Sequence, residues 1–378
     1  MIRILIAGDF CPPADVVFEA GHDKILGDFS SMLKETDFNV VNLECPVAEP
    51  DNRRKIVKSG PHLRCSSLTI DFLHKSGFNL LTLANNHFYD YGNSGVQKTL
   101  SECENVGINY VGGGNNITET STPFFQEIKG KKIAFLNFCE NEFSIATSTN
   151  GGSNPLDPIS NYYQIQKAKT QADYVIVIIH GGNEHYQLPN PRMQKTYRFF
   201  ANAGADAIIN HHQHCFSGYE IYNNTPIFYG LGNFCFEGTK NSIWNEGYAV
   251  ELIIEETVSF KLHPYLQCNT SEFVIQTLTN EQKKSFETKI DNLNKKICDE
   301  SALNTSFIEY SKAMSKKYMS LYEPYNCKYL RAFYKRFWLP SFIKKNRFIE
   351  AFNAINCESH YDVLRSVFNS FIQKYSKR

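Results

Sequence analysis

"GADAIINHHQH", residues 204–214, decides how the rest of the chain is read. Its apolar run, closing in Ala207–Ile209, ends in Asn210 and then His211, His212 and His214. A short apolar run after a glycine reads as a buried strand. Such strands ordinarily finish in turn formers, and three imidazoles at that point call for a chemical explanation. The same arrangement recurs upstream. "IRILIAG", "NVVNLE", "NLLTLANN", "KIAFLNF" and "YVIVIIHGG" are strand-like, several of them apolar on both faces. Between them "DKILGDFSSMLKE", "SLTIDFLHKSG", "SGVQKTLSECENVG" and "MQKTYRFFANAG" carry apolar residues at helical spacing, and the last three finish in Gly77, Gly107 and Gly204. Alternation of this kind predicts an α/β fold.

The 378 residues suffice for one large domain with an appendage, and 42 % hydrophobic with 21 % charged residues is the balance of a globular chain. Net charge is zero, so no overall field draws the protein to nucleic acid, and none is expected as a partner. Eleven cysteines fall singly, without a C-x-x-C pair, which predicts reduced thiols and a cytoplasmic setting. "MIRILIAGDF" is too short an apolar stretch for a signal-peptide core, and no window reaches the roughly 18 apolar residues of a membrane span.

From Tyr219 the pattern changes. A turn at Asn223-Asn224 divides "YEIYNNTPIFYG", and "YAVELIIEETVSFKLHPYL" alternates as a strand pair. Beyond about Thr270, Lys, Asn, Tyr and Phe dominate and helical patterns take over. The expected organisation is a catalytic domain over 1–268 and a helical extension over 269–378.

The strand ends form a series: Asp9, Glu44, Asn85-Asn86-His87, His180, and His212 with His214. In open α/β sheets ligands bind outside the carboxyl ends of the strands. Singly, each residue is an ordinary turn former, cap or buried histidine. Five strands delivering carboxylate, amide and imidazole to one edge form a ligand set for Zn, Mn or Fe rather than a thiolate site. Six candidates exceed what one tetrahedral ion needs and suit two divalent ions sharing a carboxylate, which acidify water and clamp a phosphoryl oxygen. On an extended segment, His212 and His214 would present their rings to one side and His211 would point away.

In their order, "GDF", "NLECP", "LANNHFYDYG", "HGGNEHY", "NHHQH" and "IFYGLGNF" resemble the motifs of the bacterial capsule-synthesis protein CapA family, a branch of the calcineurin-like metallophosphoesterases. The resemblance runs from Ile2 to about Glu237. It implies a two-sheet sandwich flanked by helices and a role in capsule or poly-γ-glutamate biosynthesis. It also implies that Asp9 and His214 hold a first metal, that Glu44 bridges, and that Asn86, His180 and His212 hold a second. His87 would face the leaving group, with Asp90 orienting its ring. Two positions depart from the pattern: Asp9-Phe10-Cys11 stands where Asp-x-His is usual, and Glu44 where Asp is usual. The first metal is thus one ligand short unless Cys11 or water supplies it.

The loop "KIVKSGPHLRC" offers Lys58 and Ser59 to an anionic substrate, and Glu184 and Asn233, in family motifs, complete the expected substrate contacts. Gly112–Gly114 is a weaker candidate phosphate cradle. The expected activity is hydrolysis of a phosphorylated or anionic saccharide or polymer. The alternatives are a non-catalytic scaffold of a synthesis complex and an amide hydrolase using the same metals. Between Cys327 and Arg378, Lys328, Arg331, Lys335, Arg336, Lys344, Lys345, Arg347, Arg365, Lys374, Lys377 and Arg378 face only Glu350, Glu358 and Asp362, interleaved with aromatics. That composition suits peripheral contact with anionic lipid, or an amphipathic helix packed on the catalytic domain.

Overall fold

The computed structural model describes residues 1–13, 22–237, 242–267, 274–325, 327–356, 360–361, 363–364, 367–368 and 372. The chain packs into two compact units, Met1–Leu303 and Asn304–Arg378. The change of composition near residue 268 and the division in packing near 303 are thus separate features, because helix Asn280–Cys298 belongs to the first unit. Cys268, Cys357 and the last cations of the chain (Arg365, Lys374, Lys377, Arg378) lie outside the described residues, as do Glu358 and Asp362.

The first unit is the two-sheet sandwich. In one sheet the strands run Gln276–Thr277, Val258–Leu266, Glu246–Ile254, Ile2–Cys11, Phe38–Leu43, Leu80–Thr82 and Asn109–Val111, with Asn233–Phe236 also pairing with Ile2–Cys11. The other runs Tyr219–Tyr222, Thr225–Phe228, Ala207–His211, Tyr174–His180, Lys131–Cys139 and Phe124–Ile128. The first sheet is parallel from Ile2–Cys11 to its Asn109–Val111 edge and antiparallel from Ile2–Cys11 to its Gln276–Thr277 edge. The second is parallel at its centre with an antiparallel pair at each edge. The alternate residues of each strand explain the layers. Ile4, Ile6, Val40, Phe135, Ile176, Ile178 and Ile209 meet between the sheets. Leu5, Ala7, Val41, Leu43 and Leu81 face helices Phe29–Glu35, Ser67–Lys75 and Gly92–Val106. Leu136, Val175, Val177 and Ile208 face helices Pro158–Lys169 and Pro191–Asn202. Strands buried on both sides read as continuous apolar runs, as these do.

The hairpin at Asn223-Asn224 forms as expected, both residues having positive φ. The helix expected over 23–35 does not run unbroken. Gly27 takes φ +52°, and a Cβ there would lie 2.4 Å from the carbonyl oxygen of Ile275, so the chain turns and restarts at Phe29. Nine cysteines lie among the described residues; none of these is in a disulfide, and seven are buried.

Candidate metal centre

The carboxyl ends of both sheets' parallel strands open on the same edge, and the register there brings the site together. Asp9 sits beside Asn42 on one neighbour and Asn233 on the other. Across the sandwich, His180 pairs with His211. Gly8 makes the approach possible: a Cβ on it would fall 2.0 Å from the carbonyl oxygen of Gly232, forcing apart the strands that carry Asp9 and Asn233.

Two groups of donor atoms result, Asp9–Glu44–His214 and Glu44–His180–His212, with Glu44 common to both. Nε2 of His180 lies 3.0 Å from Oδ1 of Asn86, 3.1 Å from Nδ1 of His212 and 3.4 Å from Oε1 of Glu44. Nε2 of His214 lies 3.6 Å from the same Glu44 oxygen, and its Nδ1 is held 2.8 Å from Oδ1 of Asn233. Asp9 receives the amide of Asn42 at 2.7 Å and the backbone N–H of His212 at 3.1 Å. Sequence reading missed Asn42. It precedes Glu44 by two residues, the spacing that puts side chains on one face of a strand, and this signal was available. It also missed Trp244, whose ring packs 4.8 Å from that of His214.

The extended-strand account of the histidines needs correction. The strand ends at His211; His212 (φ 90°) and His214 (φ 53°) occupy left-handed backbone. Few side chains adopt that conformation, and where they do the surrounding structure holds them there, commonly at functional sites. Left-handed turning, not strand alternation, aims both rings inward. His211 is buried and belongs to neither group.

Electrostatics fit a cation. Asp9 and Glu44 are fully buried, and both carboxylate oxygens of Glu44 are without a hydrogen-bond partner in the protein. Burial, then the charge of Glu44, pushes Asp9 up to about 8, and burial pushes Glu44 up to about 8. Burial likewise holds His180 and His212 well below the usual imidazole range, so both are neutral with lone pairs to donate. A buried carboxylate with no donors beside neutral imidazoles is what divalent metal binding requires. Asp9, Glu44, Asn86, His180, His212 and His214 would hold it. Cys11 is packed in the helix-side core with Cys45 and Cys65 and is in neither group.

This predicts an unusual pH dependence for metal-stripped protein. Carboxyls ionise near 4 when unfolded, whereas Asp9 and Glu44 keep their protons to about 8 when folded. The unfolded state therefore binds fewer protons, and stability falls as pH rises through that window, by up to about 1.4 kcal/mol per pH unit for each carboxyl. Above the ordinary histidine value of 6.5 the imidazoles are neutral in both states and do not oppose the trend. Urea midpoints of chelated protein should drop between pH 6.5 and 8, and Glu44→Gln should flatten the drop. A flat wild-type profile would mean the carboxyls are solvated or paired differently.

His87 stands beside the metal ligands but outside both groups. Its Nδ1 lies 2.7 Å from Oδ2 of Asp90, which also accepts the N–H of Leu63 at 2.7 Å. Nζ of Lys58 contacts the other Asp90 oxygen and lies 3.1 Å from His87 Nδ1, its side chain 3 % exposed. Lys58 is thus engaged with the His87–Asp90 pair. Ser59 and Glu184 are exposed; Asn233 is buried, its amide on His214. Packing alone accounts for glycine at 112–114: Cβ atoms there would meet Asn137, Leu83 and Glu119 at 2.3–2.7 Å. Lys58→Met leaves a buried carboxylate short of its cation, which should lower stability by about 3 kcal/mol. A lysine serving substrate alone would instead raise KM with the unfolding midpoint unchanged.

Residues 3–238 match the family described as bacterial capsule synthesis protein PGA_cap. The capsule biosynthesis protein CapA of Bacillus anthracis is 34 % identical over 231 residues, 59 % of this chain and 56 % of that one. The PGA biosynthesis protein CapA of Bacillus subtilis strain 168 is 33 % identical over 225 residues, 59 % of each. The chain thus spans somewhat over half the length of these relatives. A solved putative 5'-nucleotidase from Staphylococcus aureus overlaps 77 % of this chain and 58 % of its own, at 14 % identity and TM-score 0.44.

Proposed function

Because the chain belongs to the bacterial capsule synthesis protein family, we propose that it is a metal-dependent hydrolase of capsule or surface-polymer biosynthesis. Its substrate would be a phosphorylated or anionic saccharide or polymer, cleaved at a phosphoester. The observation that carries this reading is Glu44, fully buried with no hydrogen-bond donor on either oxygen and shared by two ligand groups. When bound, two divalent ions (Mn, Zn or Fe) would supply Lewis acidity toward a phosphoryl oxygen and an acidified water.

The chain's own residues do the rest. Asn42 and the N–H of His212 fix the Asp9 carboxylate, and Asn233 fixes the ring of His214, so the ligands are oriented before any ion arrives. Asp90 holds the Nδ1 side of His87 and is itself paired with Lys58, which leaves Nε2 to hold a proton for a departing oxygen. The test is metal analysis of purified protein beside turnover of an aryl phosphate monoester and diester with added Mn or Zn. Metal-dependent turnover of either ester is the expected result. Bound metal without turnover would favour the scaffold reading, and turnover of amides alone would favour amide hydrolysis.

A further inference from the structure

The second unit displays an apolar surface that the hydrolase reading does not use. Helix Lys328–Lys335 ends in a turn at Arg336–Phe337, after which Phe337 and Trp338 are 75 % and 68 % exposed. Phe337 has φ 63°, a left-handed conformation that is an outlier for a bulky side chain. Local contacts hold it there. The N–H groups of Phe337 and Trp338 close onto the carbonyls of Tyr334 and Phe333, and the Phe333 ring stacks 5.4 Å from Trp338. The ammonium of Lys316 lies 4.7 Å from the Phe337 ring. Beyond the turn, Glu323 accepts the N–H of Phe342 at 2.9 Å, which anchors the segment on its own unit. Strained backbone thus presents two large aromatic side chains to the outside.

Exposed apolar surface of this size ordinarily has a partner, and the charges around it select which. Over residues 327–356 seven cations (Lys328, Arg331, Lys335, Arg336, Lys344, Lys345, Arg347) stand against the single acid Glu350. A second copy of the same face would meet like charge, which disfavours self-pairing. A soluble polyanion would satisfy the cations and leave the aromatics in water. An anionic bilayer satisfies both, because Trp and Phe settle at headgroup level while Lys and Arg meet lipid phosphates. Among the described residues no helix is long and apolar enough to cross a membrane, so the contact is peripheral.

We propose that the Phe337–Trp338 turn and the cations flanking it form a docking face for an anionic lipid surface. The contact is independent of whether the first unit is catalytic. The full chain should sediment with vesicles of phosphatidylglycerol and phosphatidylcholine at low salt, release as salt rises, and ignore vesicles of phosphatidylcholine alone. Reversing three cations (K328E, K344E, K345E) should weaken partitioning on the order of 100-fold. F337A with W338A should weaken it roughly tenfold or more. All five positions are on the second unit, which is mainly helical, so far-ultraviolet circular dichroism matching that of the unsubstituted chain serves as the folding control. Trp338 offers a direct readout: in W244F it is the sole tryptophan, and its emission should move to the blue and resist aqueous quenchers on anionic vesicles. No sedimentation at low salt overturns the proposal. So does binding that leaves Trp338 open to quencher or that both sets of substitutions leave unchanged, the marks of general adsorption. Saturation by a soluble polyanion or an acidic protein with the same Trp338 shift would also overturn it, assigning the face to that partner.

Discussion

Replacing His87 by Asn should lower turnover by roughly 10²–10⁴-fold, the range for a positioned acid–base group, and leave bound metal unchanged. The substitution is chosen for what it retains. Asn reaches about as far as the Nδ1 side of imidazole and can keep the contact with Oδ2 of Asp90, now 2.7 Å from that nitrogen. Only the Nε2 side is lost. His87 is in neither ligand group, so metal content has no reason to move. Substrates whose leaving oxygen is already weakly basic should lose least, because protonation helps them least. If His87→Asn matched wild type on every ester that turns over, the residue would be a buried partner for Asp90 and nothing more.

What could be read from the sequence follows from how local each signal is. The strand ends were legible because a doubly buried strand is a run of Ile, Val and Leu, and the first polar residue after it marks the sheet edge. Asp9, Glu44, Asn86 and His180 were found this way, and the structure brings them to one edge with His212 and His214. Their convergence on one edge follows from the rule for open α/β sheets; that the strands divide between two sheets is a long-range fact no local pattern contains, and it entered through family resemblance. The left-handed backbone at His212 and His214 was not legible, since neither residue is Gly and tertiary packing imposes it. Asn42 was overlooked because an asparagine inside an apolar strand looks like an interruption; buried between Asp9, Thr82 and His180, it is a polar strut. Helix Pro158–Lys169 was missed although Asp157-Pro158 is a sound start signal, because its apolar face is narrow. The break at Gly27 depends on the carbonyl of Ile275, 248 residues away in sequence, and could not have been foreseen.

His180→Ala should strip the Glu44–His180–His212 group of its ion and remove that ion's share of the stability gained on adding Mn or Zn. Its Nε2 is the atom on which Asn86, His212 and Glu44 converge, so no neighbouring donor can take its place without moving the strand end. An ion present at a thousand times its dissociation constant stabilises the folded state by about 4 kcal/mol, and that increment should vanish for this group. Comparing chelated wild type with chelated variant isolates the cavity left by the missing ring, so the metal-dependent part is read separately. The two groups make a sharper claim together. His180→Ala and His214→Ala should each leave the ion of the other group in place, whereas Glu44→Gln should weaken both, because the two groups have only that carboxylate in common. Equal loss from all three would mean one ion bound across the whole cluster. Unchanged metal content in His180→Ala would remove the ring from the ligand set and leave it a buried hydrogen-bonding histidine.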